Sequence, residues 1–382
     1  MQMADAAIII PVHNHGAVVL DTLVSVAEQT RPPKRLIVVD DGSTDQTAQG
    51  IQQWLAWTDP RIDARLLRQP ARGASSARNC GIGQRGDCRF VAFLDPGDLW
   101  PPDFLQRATY YLETDSRAVA VSCDRLTVNA AKNTRRREVL AGIAENPPRW
   151  LFTRDPRVGS CTLFRAEAIL SLGHDASLAV ADGAGLMLRL SVSGPWLYAA
   201  GKPALFRVKT AQRGAPGGPG HGPPDCLAWA EVCEDFIHSH SVRQFMTPRE
   251  VRFHLARRWY RAGRQLAASD RFDAALRCYR RSCYWRSWSR AQLQIVFRCF
   301  TAGGIGRCLR AISLAARSVL ASPVSRQGRA ESIQTWRLGQ VEDAQQPVDR
   351  GGLTAREHQP VDLGEFLGAA HGARVHTEGV QH

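Results

Sequence analysis

The 382-residue sequence predicts an α/β protein, with a mostly parallel sheet covered by helices on both faces and a smaller all-α region after it. Three observations predict this. Short apolar runs alternate with helix-patterned stretches through the first 120 residues, polar clusters stand where strands should end, and a Gly/Pro-rich break precedes an Arg-rich, helix-patterned stretch. In order, Ala7–Val12 is an apolar run that suits a buried strand, and Ala17–Gln29 follows with apolar residues at helical spacing. Pro32 and Pro33 stop that helix, and Leu36–Val39 reads as the second strand. Ser43 with Gln46 three residues on reads as a capping box opening a helix to about Trp57. A third strand is expected at Ala64–Leu67, a helix at Ser75–Gly83 and a fourth strand at Phe90–Leu94. Later strands are expected at Val119–Cys123 and Cys161–Phe164, and a helix over Leu186–Leu190.

Composition narrows the possibilities. Apolar residues make up 44% and charged residues 22%, ordinary globular usage that excludes global disorder. The net charge of +13 is uneven: residues 243–329 hold 19 basic and 3 acidic side chains, whereas 1–242 hold 26 and 25. The chain thus reads as a near-neutral N-terminal part, a strongly basic middle and a mildly acidic tail. No uninterrupted apolar window reaches the ~18 residues of a membrane-spanning helix. The start of the chain lacks the basic lead and cleavage site of a signal peptide. Ten Cys without a Cys-x-x-Cys pair argue against a zinc site or disulfide framework, and the expected compartment is reducing and cytoplasmic.

In a parallel sheet, ligands sit beyond the carboxyl ends of the strands. Four groups of polar residues occupy those places: His13 and Asn14, Asp40 to Ser43, Arg72 to Asn79, and Asp95 to Asp98. No Gly-x-Gly-x-x-Gly follows the first strand and no P-loop is present, so dinucleotide and P-loop sites are not expected. The strings that carry these residues are Ile10-Pro11-Val12-His13-Asn14, Val38-Val39-Asp40-Asp41-Gly42-Ser43-Thr44-Asp45, the stretch from Arg72 to Ile82 (Arg-Gly-Ala-Ser-Ser-Ala-Arg-Asn-Cys-Gly-Ile), and Phe93-Leu94-Asp95-Pro96-Gly97-Asp98-Leu99-Trp100-Pro101. In that order and spacing they resemble the family 2 glycosyltransferases, over roughly residues 5–210, with a weaker later match at Gly173–Leu178.

The resemblance implies the GT-A fold, a Rossmann-like sheet, and inverting transfer from a nucleotide sugar, most simply a UDP-sugar, to a hydroxyl acceptor. By the same resemblance, Pro11, His13, Asn14, Asp40 and Asp41 would hold the nucleoside, and Arg78 would lie near the donor. Asp95 would stand at the diphosphate, and Asp95 and Asp98 would hold Mg2+ or Mn2+, hard ions that suit carboxylate oxygen. Two departures stand out. The family reads Asp-x-Asp-Asp where this chain has Gly97 in the middle place. The family also has Glu-Asp seven and six residues before a helix Arg. Counted from Arg189, those places hold Asp182 and Gly183, so Asp182 stands in the Glu place, or with one inserted residue becomes the catalytic base.

Alternatives read from the residues themselves remain beside this. Asp-Gly-Ser-Thr is good turn chemistry, Asp95–Asp98 suits a plain β-turn, and Asp182 suits an N-cap. The sequence is therefore divided into a GT-A domain over 1–213, a linker over 214–224 with nine Gly or Pro in eleven residues, a basic helical region over 225–322 and a disordered tail over 323–382. Within the helical region, Trp259, Gly263, Leu266, Phe272, Ala275 and Tyr279 follow tetratricopeptide spacing in a hairpin near 255–287. Leu293–Phe297 and Leu309–Leu320, with their spaced Arg, suit an anionic membrane surface at the inner face of the membrane, or a soluble helix pair whose Arg stems cover apolar surface. Nucleic acid is not an expected partner, since no recognised module accompanies the charge. The functional expectation is a glycosyltransferase of cell-surface polysaccharide synthesis with a glycan or lipid-linked acceptor. Its competitors are a catalytically degenerate GT-A module that binds sugar nucleotide or a partner without turnover, and an interaction protein acting through the basic helices.

Overall fold

The computed structural model describes residues 2–129, 133–154, 158–172, 183–207, 226–269 and 271–286. The expected linker 214–224, Leu293–Phe297, Leu309–Leu320, the tail 323–382 and Asp182 lie outside them. Contacts divide the described residues into two units, one holding those up to Arg207 with Asp235–Phe245, the other holding Cys226–Glu234 and those from Met246 on.

The first unit is built on a seven-stranded sheet. Strands β1 (Ala4–Val12), β2 (Pro33–Asp41), β3 (Asp63–Gln69) and β4 (Phe90–Phe93) alternate with helices α1 (Gly16–Ala27), α2 (Thr47–Leu55) and α3 (Ala74–Gly83). After α4 (Phe104–Thr114) come β5 (Ala120–Ser122), β6 (Arg125–Asn129), β7 (Thr134–Glu138), α5 (Pro147–Thr153), β8 (Thr162–Arg165), α6 (Ala166–Ser171), α7 (Ala184–Leu190), β9 (Trp196–Tyr198) and β10 (Ala204–Arg207). The strand order is β3-β2-β1-β4-β8-β5-β9, parallel except at β8, which runs antiparallel to both neighbours. This is the expected α/β sheet, and its first four strands fall where the apolar runs predicted. Ile8, Ile9 and Ile10 of β1 and Leu36 to Val39 of β2 are wholly buried, which explains why these strands read as unbroken apolar runs rather than as alternation.

The chain steps from β1 out to β3 and then crosses back to lay β4 on the other side of β1. Right-handed crossovers put α3 on the face opposite α1 and α2. The order of the sheet reverses between β1 and β4, and such a reversal opens a crevice at the strand ends. Here the opening is widened by register. The β1–β2 ladder continues to Val12 opposite Asp40, while the β1–β4 ladder stops at Ile9 opposite Phe93. Pro11, which has no N–H to donate, lies beyond that last pair.

One reading of local structure changes. The capping box is absent: α2 starts at Thr47 with Gln46 as its uncapped N-cap residue. The Ser43 hydroxyl instead accepts from the Asn14 N–H (2.9 Å), and Asp45 accepts from the Thr47 N–H (2.9 Å). The stretch Arg135 to Arg137 is exposed in strand β7, paired antiparallel to β6 in a second, three-stranded sheet with order β10-β6-β7. Its Arg137 reaches back to the buried Asp124 carboxylate (2.8 Å).

The second unit is helical. Helices α9 (Pro248–Ala268) and α10 (Phe272–Trp285) form a hairpin, and Cys226–Glu234 of α8 (Cys226–Ser239) belongs to the same unit. Thr247 and Glu250 close a capping box at the start of α9, after Pro248 takes the first helical position. Trp259, Leu266, Ala275 and Tyr279 share one buried cluster, and the buried Glu234 carboxylate accepts from Arg281 Nε (2.8 Å) and Trp285 Nε1 (2.8 Å). Gly263 lets the two helices close: a Cβ there would stand 2.6 Å from the ring of Tyr279. Ala is the better helix former by about 1 kcal/mol, but overpacking a buried ring costs about 1–3 kcal/mol. Gly263→Ala is therefore expected to destabilise the helical unit by about 1 kcal/mol in urea unfolding, against the usual sign of the exchange.

Candidate functional site

The four sequence strings meet at the carboxyl rim of β1 to β4, and hydrogen bonds tie them in pairs. Asn14, just past β1, has φ +56°, a left-handed backbone that Asn tolerates better than most residues. This aims its carboxamide at the neighbouring loop, where Oδ1 accepts from the N–H of Thr44 (2.8 Å) and Asp45 (3.3 Å). His13 Nδ1 lies 2.8 Å from the Asp41 carbonyl oxygen. A carbonyl only accepts, so Nδ1 carries the proton, leaving Nε2 to accept from Asn14 Nδ2 (3.3 Å). His13 and Asn14 thus clasp the first two loops together.

Asp40 and Asp41 point to opposite faces of β2, as successive strand residues must. The Asp40 carboxylate is wholly buried; it accepts from the Ser43 N–H (2.9 Å) and from Arg68 Nε (3.1 Å). Asp41 turns toward α3 and is also buried. Its Oδ1 accepts from Gln69 Nε2 (2.7 Å) and the Arg72 N–H (2.8 Å), and its Oδ2 from the Gly73 N–H (2.8 Å). One carboxylate therefore fixes the loop that leads into α3. From the first turns of that helix Arg78 extends to Asp95, with Nη2 2.8 Å from Oδ1. α3 thereby joins the rim of β2 to the rim of β4.

Asp95 to Asp98 form a β-turn closed by the Asp98 N–H donating to the Asp95 carbonyl (3.0 Å). Gly97 sits at its third place with φ +92°, where a side chain would be strained. α1 holds the turn from the opposite face: Thr22 Oγ1 accepts from the Gly97 N–H (2.8 Å) and donates to the Asp98 carbonyl (3.0 Å). Ser160, just before β8, accepts from the Asp95 N–H (3.2 Å), and its carbonyl accepts from Trp100 Nε1 (2.6 Å). The Asp95 side chain stays 29% exposed, whereas Asp98 is buried.

The residues expected from the sequence are thus gathered, apart from Asp182, and Pro11 lies buried in β1 beside them. Thr22, Arg68, Gln69 and Ser160 were not foreseen. Their partners lie 28 to 76 residues away, beyond the reach of any local pattern. The chemistry on offer is one partly exposed carboxylate already paired with a largely buried guanidinium, surrounded by anchored loops. At a diphosphate a divalent ion takes one or two carboxylates and completes its shell with phosphate oxygen and water. Here Gly97 contributes no side chain, Arg78 occupies an oxygen of Asp95, and Asp98 is buried. The donor set does not fit Mg2+ or Mn2+ well. Burial pushes the Cys88 thiol up to about 11 and the Cys123 thiol up to about 12, away from thiolate chemistry.

Solved structures share this fold. Staphylococcus aureus TarS 1–349 superposes with a TM-score of 0.52 at 15% identity, over 80% of this chain and 93% of that one. Its complex with UDP-GlcNAc gives 0.51 at 15%, over 75% and 84%. At that identity the likeness shows the GT-A fold. In sequence, the chain is 36% identical over 94 residues to the UDP-Glc:alpha-D-GlcNAc-diphosphoundecaprenol beta-1,3-glucosyltransferase WfgD of Escherichia coli, covering 25% of this chain and 35% of that one. It is 35% identical over 108 residues to the succinoglycan biosynthesis protein ExoW of Rhizobium meliloti (strain 1021), covering 28% and 33%. The chain spans about a third of the length of these curated relatives. Residues 7–173, which contain the whole rim, match the family described as Glycosyl transferase family 2.

Proposed function

We propose that this protein is an inverting glycosyltransferase that moves a sugar from a nucleotide sugar, a UDP-sugar by preference, to a hydroxyl acceptor in cell-surface glycan synthesis. The observation that carries the reading is the joining of four strand-end loops around the β1–β4 crevice through Asn14, Asp41 and the Arg78–Asp95 pair. The acceptor oxygen attacks the anomeric carbon, its proton passes to a base, and the bond to the diphosphate breaks with both electrons leaving on the phosphate oxygen. Asp182 is our proposal for the base. Asp40, Asp41, His13 and Asn14 shape the nucleoside end, and the hydrogen bonds of Asp41 and Asn14 to the neighbouring loops support a role as builders of that wall. The family match of residues 7–173 and the donor named for WfgD support the donor class, and the diphosphoundecaprenol in that name supports a lipid-linked acceptor.

Calorimetric titration with UDP is expected to give a Kd of about 1 mM or tighter, equivalent to at least ~4 kcal/mol of binding. Absence of any heat from UDP, GDP or dTDP at millimolar concentration would end this reading. A module that binds without turnover is favoured by Gly97, by Gly183 and by the missing Glu-Asp pair, and it would show UDP binding with no transfer or donor hydrolysis across an acceptor panel.

The helical unit suggests where the enzyme works. Arg249, Arg252, Arg261 and Arg264 on α9 and Arg277 and Arg280 on α10 are exposed, with Asp273 on α10 and Glu231 on α8 as exposed acids of the same unit. We assign this face to an anionic membrane surface on the cytoplasmic side, close to a lipid-linked acceptor, and the hairpin to a tetratricopeptide-like unit. No helix among the described residues is long and apolar enough to cross a membrane. Co-sedimentation with vesicles containing anionic lipid, weakened by salt, is the expected result; equal binding to neutral vesicles would refute it.

A further inference from the structure

The nucleotide-sugar reading leaves open what neutralises the diphosphate as its charge builds. We propose that the Arg78 guanidinium does so in this chain, and that a divalent cation is dispensable for binding the nucleoside diphosphate. The inference rests on the functional reading above and extends it to the residue that meets the leaving group.

Four observations converge on Arg78. Its side chain is 12% exposed, so a permanent charge has been largely removed from water at the edge of the crevice. Nη2 is paired with Asp95, but Nη1 is buried and has no hydrogen-bond partner among the described residues. A buried N–H on a charged group without an acceptor is costly, and native structures keep few of them without a reason. An anion arriving at Nη1 would remove that cost. Second, Gly97 stands where the family pattern has a carboxylate, and its φ of +92° disfavours any side chain there. Third, the carboxylate that remains partly exposed, Asp95, already has its cation. Fourth, Arg78 is held at both ends of its helix: Asp41 fixes the amides just before α3, and Gly81 packs α3 directly on Ile9 of β1. A guanidinium so fixed is ready before the reaction, which is what stabilising developing charge requires. Its planar fork also matches phosphate oxygens where a lysine ammonium would not.

In the transfer step, the electron pair of the breaking bond between the anomeric carbon and oxygen stays on the phosphate, and Arg78 donates hydrogen bonds to the diphosphate while remaining protonated. The acceptor proton goes to the base, so charge balances without another reactant.

The test is UDP titration of the full chain in EDTA and again in Mn2+. The Kd is expected to differ by less than about 3-fold between the two, since no ion is needed to bridge protein and phosphate. Arg78→Lys should weaken UDP by about 10-fold and Arg78→Ala by about 100-fold, each to the same extent in EDTA and in Mn2+. Loss of UDP binding in EDTA with recovery in Mn2+ by the wild-type chain would overturn the proposal, a result that needs no variant to fold. Unchanged binding by a folded Arg78→Ala protein would overturn it too. Failure to bind UDP under either condition would instead remove the functional reading on which the proposal stands.

Discussion

Asp41→Ala is expected to give the largest loss of stability of any substitution at the rim, about 3–5 kcal/mol, together with loss of UDP binding. The reason is arithmetic on buried groups. The Asp41 carboxylate takes the N–H groups of Arg72 and Gly73 and the amide of Gln69, all at 2.7–2.8 Å. Alanine removes both acceptor oxygens at once, and each of the three stranded donors costs about 1–3 kcal/mol, less whatever local relaxation admits water. Asp41→Asn keeps the shape and one acceptor oxygen, but turns an NH2 group toward a donor. It should lose about 1–2 kcal/mol, and the difference between the two variants separates lost acceptors from lost charge. Urea midpoints measure both. An Asp41→Ala protein as stable as wild type would mean that the carboxylate does not hold the loop before α3.

The second large effect is expected from Gly81→Val. A Cβ on Gly81 would lie 2.4 Å from Cγ2 of Ile9, a wholly buried side chain in the middle of the sheet. Neither partner can retreat: Ile9 is pinned between β2 and β4, and α3 is tied at its start by Asp41. A branched side chain then forces α3 off the sheet, at a cost of about 2–3 kcal/mol from overpacking. The displacement carries Arg78 with it, so UDP affinity should fall in the folded fraction as well. Stability lost with affinity unchanged would show that Arg78 does not depend on the seat of its helix.

How much of this was readable in advance depends on the range of the interactions. β1, β2 and β4 could be read because strands buried on both faces are written as apolar runs, and the polar strings after them marked the rim. β7 could not, because Thr134 to Glu138 is all polar and lies exposed up to Arg137; its pairing with β6 is invisible to a hydrophobic pattern. The capping box at Ser43 was locally sound and failed for a non-local reason, since Asn14, twenty-nine residues earlier, claims the hydroxyl. The same holds inside the site. Asp41 was recognisable as a rim residue, but its role as the anchor of the α3 loop depends on Gln69, Arg72 and Gly73 arriving from elsewhere. Gly97 stood out as a departure from the family pattern; the fold adds that its backbone conformation resists reversing it.

The neighbour of β1 on the crevice side is β4, more than eighty residues later in the chain. During synthesis, therefore, the first three strands and their helices can emerge and begin to collapse while the future binding cleft still lacks one wall. Closing so long a loop carries an entropic penalty before any contact repays it, so this pairing belongs to the slow, late phase of folding. Nascent chains stalled before Phe90 should be unable to retain a nucleotide however well their earlier strands have formed.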